Sequence, residues 1–300
     1  MTKRRFLILL ISFGMTGVCF SQLSKNSTWE KKLKGLYDVR LNVAYCPVDT
    51  INDRLDCYIP KGTEGPAPVL MWIHGGGWNR LSKDSVSGQI VPFLARGWVV
   101  VNVDYRLASV ALAPAAVEDC RAALRWIYTN AKEIKADTKR IVVSGSSAGG
   151  HLALMTGMLP MGTSLDALAP GSEPMRVAAI VSFYGITDVS DLVEAANRRG
   201  YAIKWLGNQS NRSEIAKLVS PLSYVRPGLP PILSIQGDAD PTVPYSHSVR
   251  LREALTKAGV PNELMTIPGG KHGKFTKEQN AEIRNNVMAF LQQYGIIQSK

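Results

Sequence analysis

Short, unbroken apolar runs recur along the chain. They are rich in β-branched residues, and such runs are typical of strands buried on both faces of a parallel sheet. The runs are "PVLMWIH" (68–74), "GWVVVNVDY" (97–105), "RIVVSG" (140–145), "VAAIVSF" (177–183) and "PPILSIQG" (230–237). The pattern therefore predicts a sheet whose central strands are mostly parallel.

Helical patterns separate these runs. They cover residues 84–96, 114–134, 148–159, 245–258 and 276–294. Strands that alternate with helices form βαβ units, so the pattern predicts an α/β fold with helices on both faces of the sheet. Before the first parallel strand, extended runs between residues 41 and 59 flank Asn52 and Asp53, which predicts an antiparallel hairpin.

One segment, about 184–225, breaks the alternation with short helical pieces. It is too small for a domain, and we expect an insertion over the carboxyl edge of the sheet, where ligands bind in open α/β sheets. We therefore predict a single catalytic domain over residues 22–300.

The first 21 residues follow another pattern. Lys3, Arg4 and Arg5 precede an uncharged run over 6–18, shorter than the roughly 20 residues of a membrane-spanning helix. This is typical of a secretory signal peptide over 1–21, with cleavage between Ser21 and Gln22. A lipoprotein in which Cys19 is lipidated is the alternative. We expect an exported protein, periplasmic or secreted, without stable membrane insertion after cleavage.

Composition and charge narrow the picture further. Apolar residues make up 45% of the 300 residues and charged residues 20%, as in a soluble chain with a sizeable core. Loss of residues 1–21 lowers the net charge from +11 to +8, because the segment carries three cations and no anion. No Lys/Arg run longer than two residues remains outside that segment, so we expect no nucleic-acid partner.

Three cysteines remain after residues 1–21. Cys46 and Cys57 stand on either side of a turn-like segment and could bridge the hairpin in an oxidising compartment, or they could be buried thiols. Cys120 falls on the inner face of a predicted helix.

The candidate chemistry begins with "GSSAG" (145–149), which matches G-x-S-x-G with Ser147 at its centre. It follows a predicted strand and opens a helix, the position of a nucleophile elbow. In that sharp turn, Gly145 and Gly149 allow strand and helix to approach closely. Gly150 is expected to give the helix room against the oxyanion loop, the glycine loop at 74–78.

A second glycine cluster, "HGGGW" (74–78), follows the strand at 68–74. Consecutive glycines let the backbone approach a substrate and direct N–H groups at one point, as in an oxyanion hole. We expect the donors to be Gly76, Gly77 and Ala148, the residue after the nucleophile. His74 is expected to shape the loop.

A serine nucleophile needs a base and an orienting carboxylate, and the expected order along the chain is serine, then carboxylate, then histidine. His272, in a loop between an apolar run and the last helix, is the predicted base, with His247 the weaker alternative. Asp240 in "DADPTVP" (238–244) is the predicted acid. Asp238 is expected to hold that loop through an Asx-type hydrogen bond, and Asp188 is a remote third candidate for the acid.

Together these motifs resemble the α/β-hydrolase superfamily. The set "HGGGW", "VDYRLA", "GSSAGG", "DADPTVP" and "KHG" is similar to the hormone-sensitive-lipase-like esterase group. Within that group, the version without a long N-terminal cap is similar to bacterial bifunctional feruloyl and acetyl-xylan esterases, and this sequence resembles that version. The resemblance implies an α/β-hydrolase fold, hydrolysis of esters on small molecules or plant polysaccharides through an acyl-enzyme, and no metal or other cofactor. It also implies that Tyr105 supports the oxyanion loop.

Two points stay open in the sequence. Prolyl-peptidase-like hydrolases share this catalytic domain and are the alternative enzyme class. Trp78, near the oxyanion loop, and Tyr201 and Trp205 in the insertion are candidates to line an acyl or sugar pocket, although aromatic core packing would explain them about as well.

Overall fold

A computed structural model of the chain describes residues 35–46, 53–85, 88–194 and 196–297. Its centre is an eight-stranded sheet with the order β1-β2-β4-β3-β5-β6-β7-β8. The pairs β1–β2 and β2–β4 are antiparallel, and the other neighbours are parallel. The strands are β1 (Tyr37–Ala44), β2 (Arg54–Pro60), β3 (Ala67–Ile73), β4 (Val99–Val103), β5 (Ala136–Ser146), β6 (Ala179–Phe183), β7 (Ile232–Gly237) and β8 (Asn262–Ile267). The predicted mostly parallel sheet with an antiparallel N-terminal hairpin is confirmed.

The inner strands are buried on both faces, as their continuous apolar sequences require. Every residue of β4, β6 and β7 is buried. Because no face of these strands meets water, alternation of polar and apolar residues is absent and β-branched side chains fill both sides.

Seven α-helices lie wholly within the described ranges: α1 (Val91–Leu94), α2 (Ala115–Thr129), α3 (Ala148–Met158), α4 (Gly200–Leu206), α5 (Arg212–Leu218), α6 (Ser246–Lys257) and α7 (Lys277–Gln293). Apolar residues of α2, α3 and α6 pack into one core cluster, and those of α1 and α7 pack into another. The two clusters cover opposite faces of the sheet, so the predicted helical layers are confirmed.

The helix predicted over 84–96 is wrong in extent, because the described part of it is helical only at Val91–Leu94. Pro92 lies in the first turn of α1. Proline has no backbone N–H and restricts the residue before it, so it favours a helix start at this point rather than continuation from 84.

The segment 184–225 joins β6 to β7. It contains the short helices α4 and α5 together with single turns at Asp191–Val193 and Pro221–Tyr224. Its position after a parallel strand places it at the carboxyl edge of the sheet, as expected for a segment that contributes to a ligand site.

Two sequence-based expectations concern other parts of the chain. The predicted signal peptide, residues 1–21, lies outside the described residues. The bridge from Cys46 to Cys57 is absent, since Cys57 is a buried free thiol on β2, and Cys120 is buried on α2 as predicted. Within the described ranges, none of the helices has the length and apolar character needed to cross a membrane.

Candidate active site

Ser147 occupies the sharp turn between β5 and α3. Its backbone angles are φ 57° and ψ −120°, a conformation that side-chain-bearing residues rarely adopt. The Ser147 N–H donates to the Phe183 carbonyl at 2.9 Å, which ties the turn to the end of β6. The next residue, Ala148, begins α3, so the hydroxyl lies at a helix start where free N–H groups favour negative charge.

Glycines make this turn sterically feasible. A Cβ at Gly145 would lie 2.4 Å from the Gly149 carbonyl oxygen, and one at Gly149 would lie 2.1 Å from the Ile73 carbonyl oxygen. The expected role of Gly150 is wrong in its partner. A Cβ there would meet the Phe183 carbonyl oxygen at 2.9 Å, so Gly150 gives room to the end of β6 rather than to the glycine loop.

The structure brings the three predicted catalytic residues into one hydrogen-bonded chain. His272 Nε2 lies 2.8 Å from Ser147 Oγ, and His272 Nδ1 lies 2.7 Å from Asp240 Oδ2. With Nδ1–H donating to the carboxylate, Nε2 is the acceptor of the serine hydroxyl proton. The three residues follow β5, β7 and β8, whose carboxyl ends meet at one edge of the sheet.

The Asp240 carboxylate is held ionised behind His272. Burial raises its pKa, but the hydrogen bond and the charge of His272, together with backbone N–H donors, hold the pKa below the usual value. Those donors are the N–H groups of Thr242 and Val243, at 2.8 and 3.1 Å from Oδ1. Asp238 holds the same region, although by accepting from the Gly269 N–H at 2.7 Å and not through a local Asx turn.

The glycine loop after β3 stands beside this chain. Gly76 and Gly77 have φ values of +112° and +62°, which favour glycine, and both line the cavity that contains Ser147. Tyr105 Oη donates to the carbonyls of His74 and Gly75 at 3.2 Å each, and its ring stacks on the His74 imidazole with centroids 4.3 Å apart. Tyr105 and His74 therefore support the backbone of the glycine loop.

The remaining histidine and carboxylate candidates lie elsewhere. His247 is buried, accepts from the Thr187 N–H and lies 3.0 Å from Asp191 Oδ2. Asp188 pairs with Arg250 at 2.6 Å. These groups hold the insertion to α6 and are not part of the chain that reaches Ser147.

A cavity of about 930 Å³ opens onto Ser147 and His272. Tyr201 lines it, and its hydroxyl donates to the Thr242 carbonyl at 3.1 Å, so this predicted pocket residue lies where the sequence suggested. Trp78 and Trp205 are not among the described residues of its wall. Both are fully buried and stack on each other with centroids 4.1 Å apart, so their assignment to the pocket is wrong and they are core residues.

The stacked tryptophans pack against His151, one turn into α3. The Trp78 indole N–H donates to His151 Nδ1 at 3.2 Å, and His151 Nε2 lies 2.6 Å from the Val219 carbonyl oxygen. Burial lowers the pKa of His151 to about 4, so its imidazole is neutral at neutral pH. It braces the helix behind the elbow and takes no part in the proton chain.

Tyr184 is a site residue that the sequence analysis missed. It lines the cavity, has a φ of 41°, and presents its ring edge-on to His272 with centroids 4.7 Å apart. Its only sequence signal was its place directly after a buried strand, at the edge where the other site residues were expected.

Comparison with known proteins identifies proteins that are similar to this chain. The BD-FAE family model matches residues 55–255. Esterase LipQ of Mycobacterium tuberculosis is 32% identical over 69% of this chain and 50% of its own length. The truncated form of a carbohydrate esterase from gut microbiota has a TM-score of 0.73 and 27% identity, over 87% of this chain and 97% of that one.

Esterase 2 of Thermogutta terrifontis, solved with bound propionate, has a TM-score of 0.70 and 30% identity, over 91% of this chain and 99% of that one. These similarities confirm the α/β-hydrolase fold and the resemblance to esterases. The chain spans about half the length of the curated relatives it matches first.

Proposed function

Because the chain belongs to the BD-FAE family, we propose that it is a carboxylic ester hydrolase whose nucleophile is Ser147. The observation that carries the proposal is the chain of hydrogen bonds from Asp240 through His272 to the Ser147 hydroxyl, at 2.7 and 2.8 Å. This chain ends in an open cavity beside glycine N–H groups, and such an arrangement serves acyl transfer.

In the proposed reaction, His272 Nε2 takes the Ser147 proton as Oγ attacks the ester carbonyl. The resulting oxyanion is stabilised by the N–H groups of Gly76, Gly77 and Ala148. His272 then gives the proton to the leaving alcohol, and water repeats the sequence on the acyl-enzyme. Asp240 fixes the imidazole tautomer and stabilises its cationic form, which its lowered pKa permits.

The proposed substrates are short acyl esters, acetyl or feruloyl, on carbohydrate. The truncated carbohydrate esterase from gut microbiota is similar to this chain over 97% of its own length, which supports this substrate class. The cavity of about 930 Å³ has room for a sugar unit as well as an acyl group. A periplasmic or secreted location is proposed as well, from the signal-like residues 1–21.

The decisive variant is Ser147→Ala. We expect it to lower kcat on p-nitrophenyl acetate by roughly 10⁴-fold or more, because the acyl-enzyme cannot form. Ser146→Ala, one residue away, is the matched control and should keep most of the activity, since its hydroxyl is outside the proton chain. Wild-type-like turnover in Ser147→Ala would overturn the proposal.

The substrate class is tested with acetylated xylan, methyl ferulate and p-nitrophenyl esters of increasing chain length. The proposal predicts the highest kcat/KM for acetylated xylan and methyl ferulate, or for acetyl esters among the p-nitrophenyl series. A clear preference for long-chain esters would contradict it.

Export is tested by expressing the full chain. A mature N-terminus at Gln22 is the expected result, and an uncleaved cytoplasmic protein would contradict the proposed export.

A further inference from the structure

Two cationic side chains, Arg80 and Lys204, line the cavity that opens onto Ser147. Among the described residues of its wall there is neither an aspartate nor a glutamate. The carboxylate of Asp240 lies behind His272, and its side chain has no exposed surface. The wall of the cavity therefore presents positive charge to a bound substrate.

The segments that carry the two cations are neighbours in the wall of the cavity. Arg80 follows the glycine loop and Lys204 lies on α4, and these two segments are in contact. The Asn79 side-chain amide donates to the Tyr201 carbonyl at 3.1 Å, and a Cβ at Gly77 would lie 3.1 Å from the Tyr201 Cβ. The two cationic residues therefore belong to segments that pack against each other at the cavity.

Both cationic groups are exposed, and neither forms an ion pair with a carboxylate in the part of the chain that the structure describes. Arg106, by contrast, pairs with buried Asp119 at 2.7 Å, which fixes it as a structural residue. Unpaired guanidinium and ammonium groups at a ligand cavity are suited to bind a carboxylate, with arginine able to do so through two hydrogen bonds.

A second cavity, of about 480 Å³, extends this pattern beyond the site. Lys277 and Arg284 of α7 line it, and its described wall likewise contains no aspartate or glutamate. Phe275 belongs to the same wall and packs against Tyr184 of the first cavity, with ring centroids 6.0 Å apart. The walls of the two cavities therefore meet at this aromatic contact.

We propose that the substrate is an acylated anionic glycan, one whose sugar units carry carboxylates. The ester is placed at Ser147, a carboxylate of the sugar chain binds Arg80 and Lys204, and further carboxylates bind Lys277 and Arg284. This inference rests on the proposed ester hydrolase function and names the charge of its substrate.

The test compares acetylated polygalacturonate with acetylated amylose at an equal degree of acetylation. We expect kcat/KM to be about tenfold higher for the anionic polymer at low ionic strength, and the advantage to shrink as salt screens the exposed charges. Arg80→Gln combined with Lys204→Gln should remove most of the advantage. Arg252→Gln with Lys257→Gln on α6 removes the same charge outside both cavities and should preserve the advantage.

Lys277→Gln with Arg284→Gln distinguishes polymer from monomer. It should lower kcat/KM more for acetylated polygalacturonate than for acetylated galacturonic acid, because only the polymer reaches the second cavity. Equal loss on both substrates would contradict the extended binding path.

Equal kcat/KM on the two polymers, or an advantage that survives in the Arg80/Lys204 double variant, would overturn the inference. A preference for p-nitrophenyl hemisuccinate over p-nitrophenyl butyrate, without one for the anionic glycan, would place the charge on the acyl group and overturn the glycan assignment. Absence of Ser147-dependent hydrolysis on every ester, neutral ones included, would instead contradict the proposed function itself.

Discussion

At the scale of single residues, the site depends on a backbone contact at Gly149. An added Cβ would lie 2.1 Å from the Ile73 carbonyl oxygen and 2.5 Å from that of His74. Neither oxygen can rotate away, because both belong to the backbone that leads into the glycine loop. Substitution must therefore move either α3, which carries Ala148, or the loop itself.

We expect Gly149→Ala to lower kcat on p-nitrophenyl acetate by about 100-fold, since displaced oxyanion donors cost that much. Overpacking should also lower the free energy of unfolding by about 1–3 kcal/mol. Initial rates and urea unfolding measure the two effects.

Gly157→Ala in the same helix is the matched control. The Cβ there would lie 2.5 Å from Ile180 Cδ1, the end of a side chain that can change rotamer. Its effect should fall on stability, with kcat within a few-fold of wild type. An equal loss of kcat in both variants would show that the loop carbonyls are not the reason.

At the scale of elements, α4 is joined to the glycine loop by the stacked tryptophans. Trp78 follows the loop and donates its indole N–H to His151 at 3.2 Å. Trp205 lies on α4, and its indole N–H has no hydrogen-bond partner among the described residues. The two rings have equal burial and opposite hydrogen-bond status, so they form a natural pair for comparison.

We expect Trp78→Phe to destabilise the protein more than Trp205→Phe, by about 1–2 kcal/mol in the free energy of unfolding. Both variants lose ring area, but the first leaves His151 Nδ1 buried without a donor, whereas the second removes an unpaired donor. Urea unfolding of the two variants measures the difference. Equal destabilisation would show that ring area alone determines the cost.

The same elements show how far sequence reasoning reaches. Continuous apolar runs predicted the parallel strands correctly, because burial on both faces leaves a local signature. Motif spacing and chain order picked out Ser147, Asp240 and His272, which the fold then brings together. The tryptophans were misassigned because nearness to a motif does not tell which side of the loop an aromatic ring takes. That choice depends on α4, more than a hundred residues away in the chain.

At the scale of the whole molecule, buried neutral histidines link stability to pH. Burial lowers the pKa of His151 to about 4, and it also lowers the pKa of His247 against the opposing effect of Asp191. An unfolded histidine titrates near 6.5. Between about pH 6.5 and 4 the unfolded chain therefore binds protons that the folded chain excludes, and stability falls as pH falls through this range.

His151→Gln isolates one of these contributions. A glutamine amide can accept from the Trp78 indole and donate to the Val219 carbonyl, the two partners that His151 has now. Its amide does not titrate, so the variant should lose less stability on acidification than the wild type. With a folded pKa of about 4, the difference between pH 7 and pH 4.5 amounts to about 2 kcal/mol.

Urea unfolding of wild type and variant at the two pH values checks this expectation, with the slope of free energy against urea required to stay constant. His247→Gln serves as the comparison, because it removes the second buried imidazole and should reduce the pH dependence independently. If wild type and His151→Gln lost equal stability between pH 7 and 4.5, then His151 would be protonated in the folded protein at pH 4.5. Its hydrogen bond from the Trp78 indole could not then hold, since both ring nitrogens of a protonated imidazole are donors.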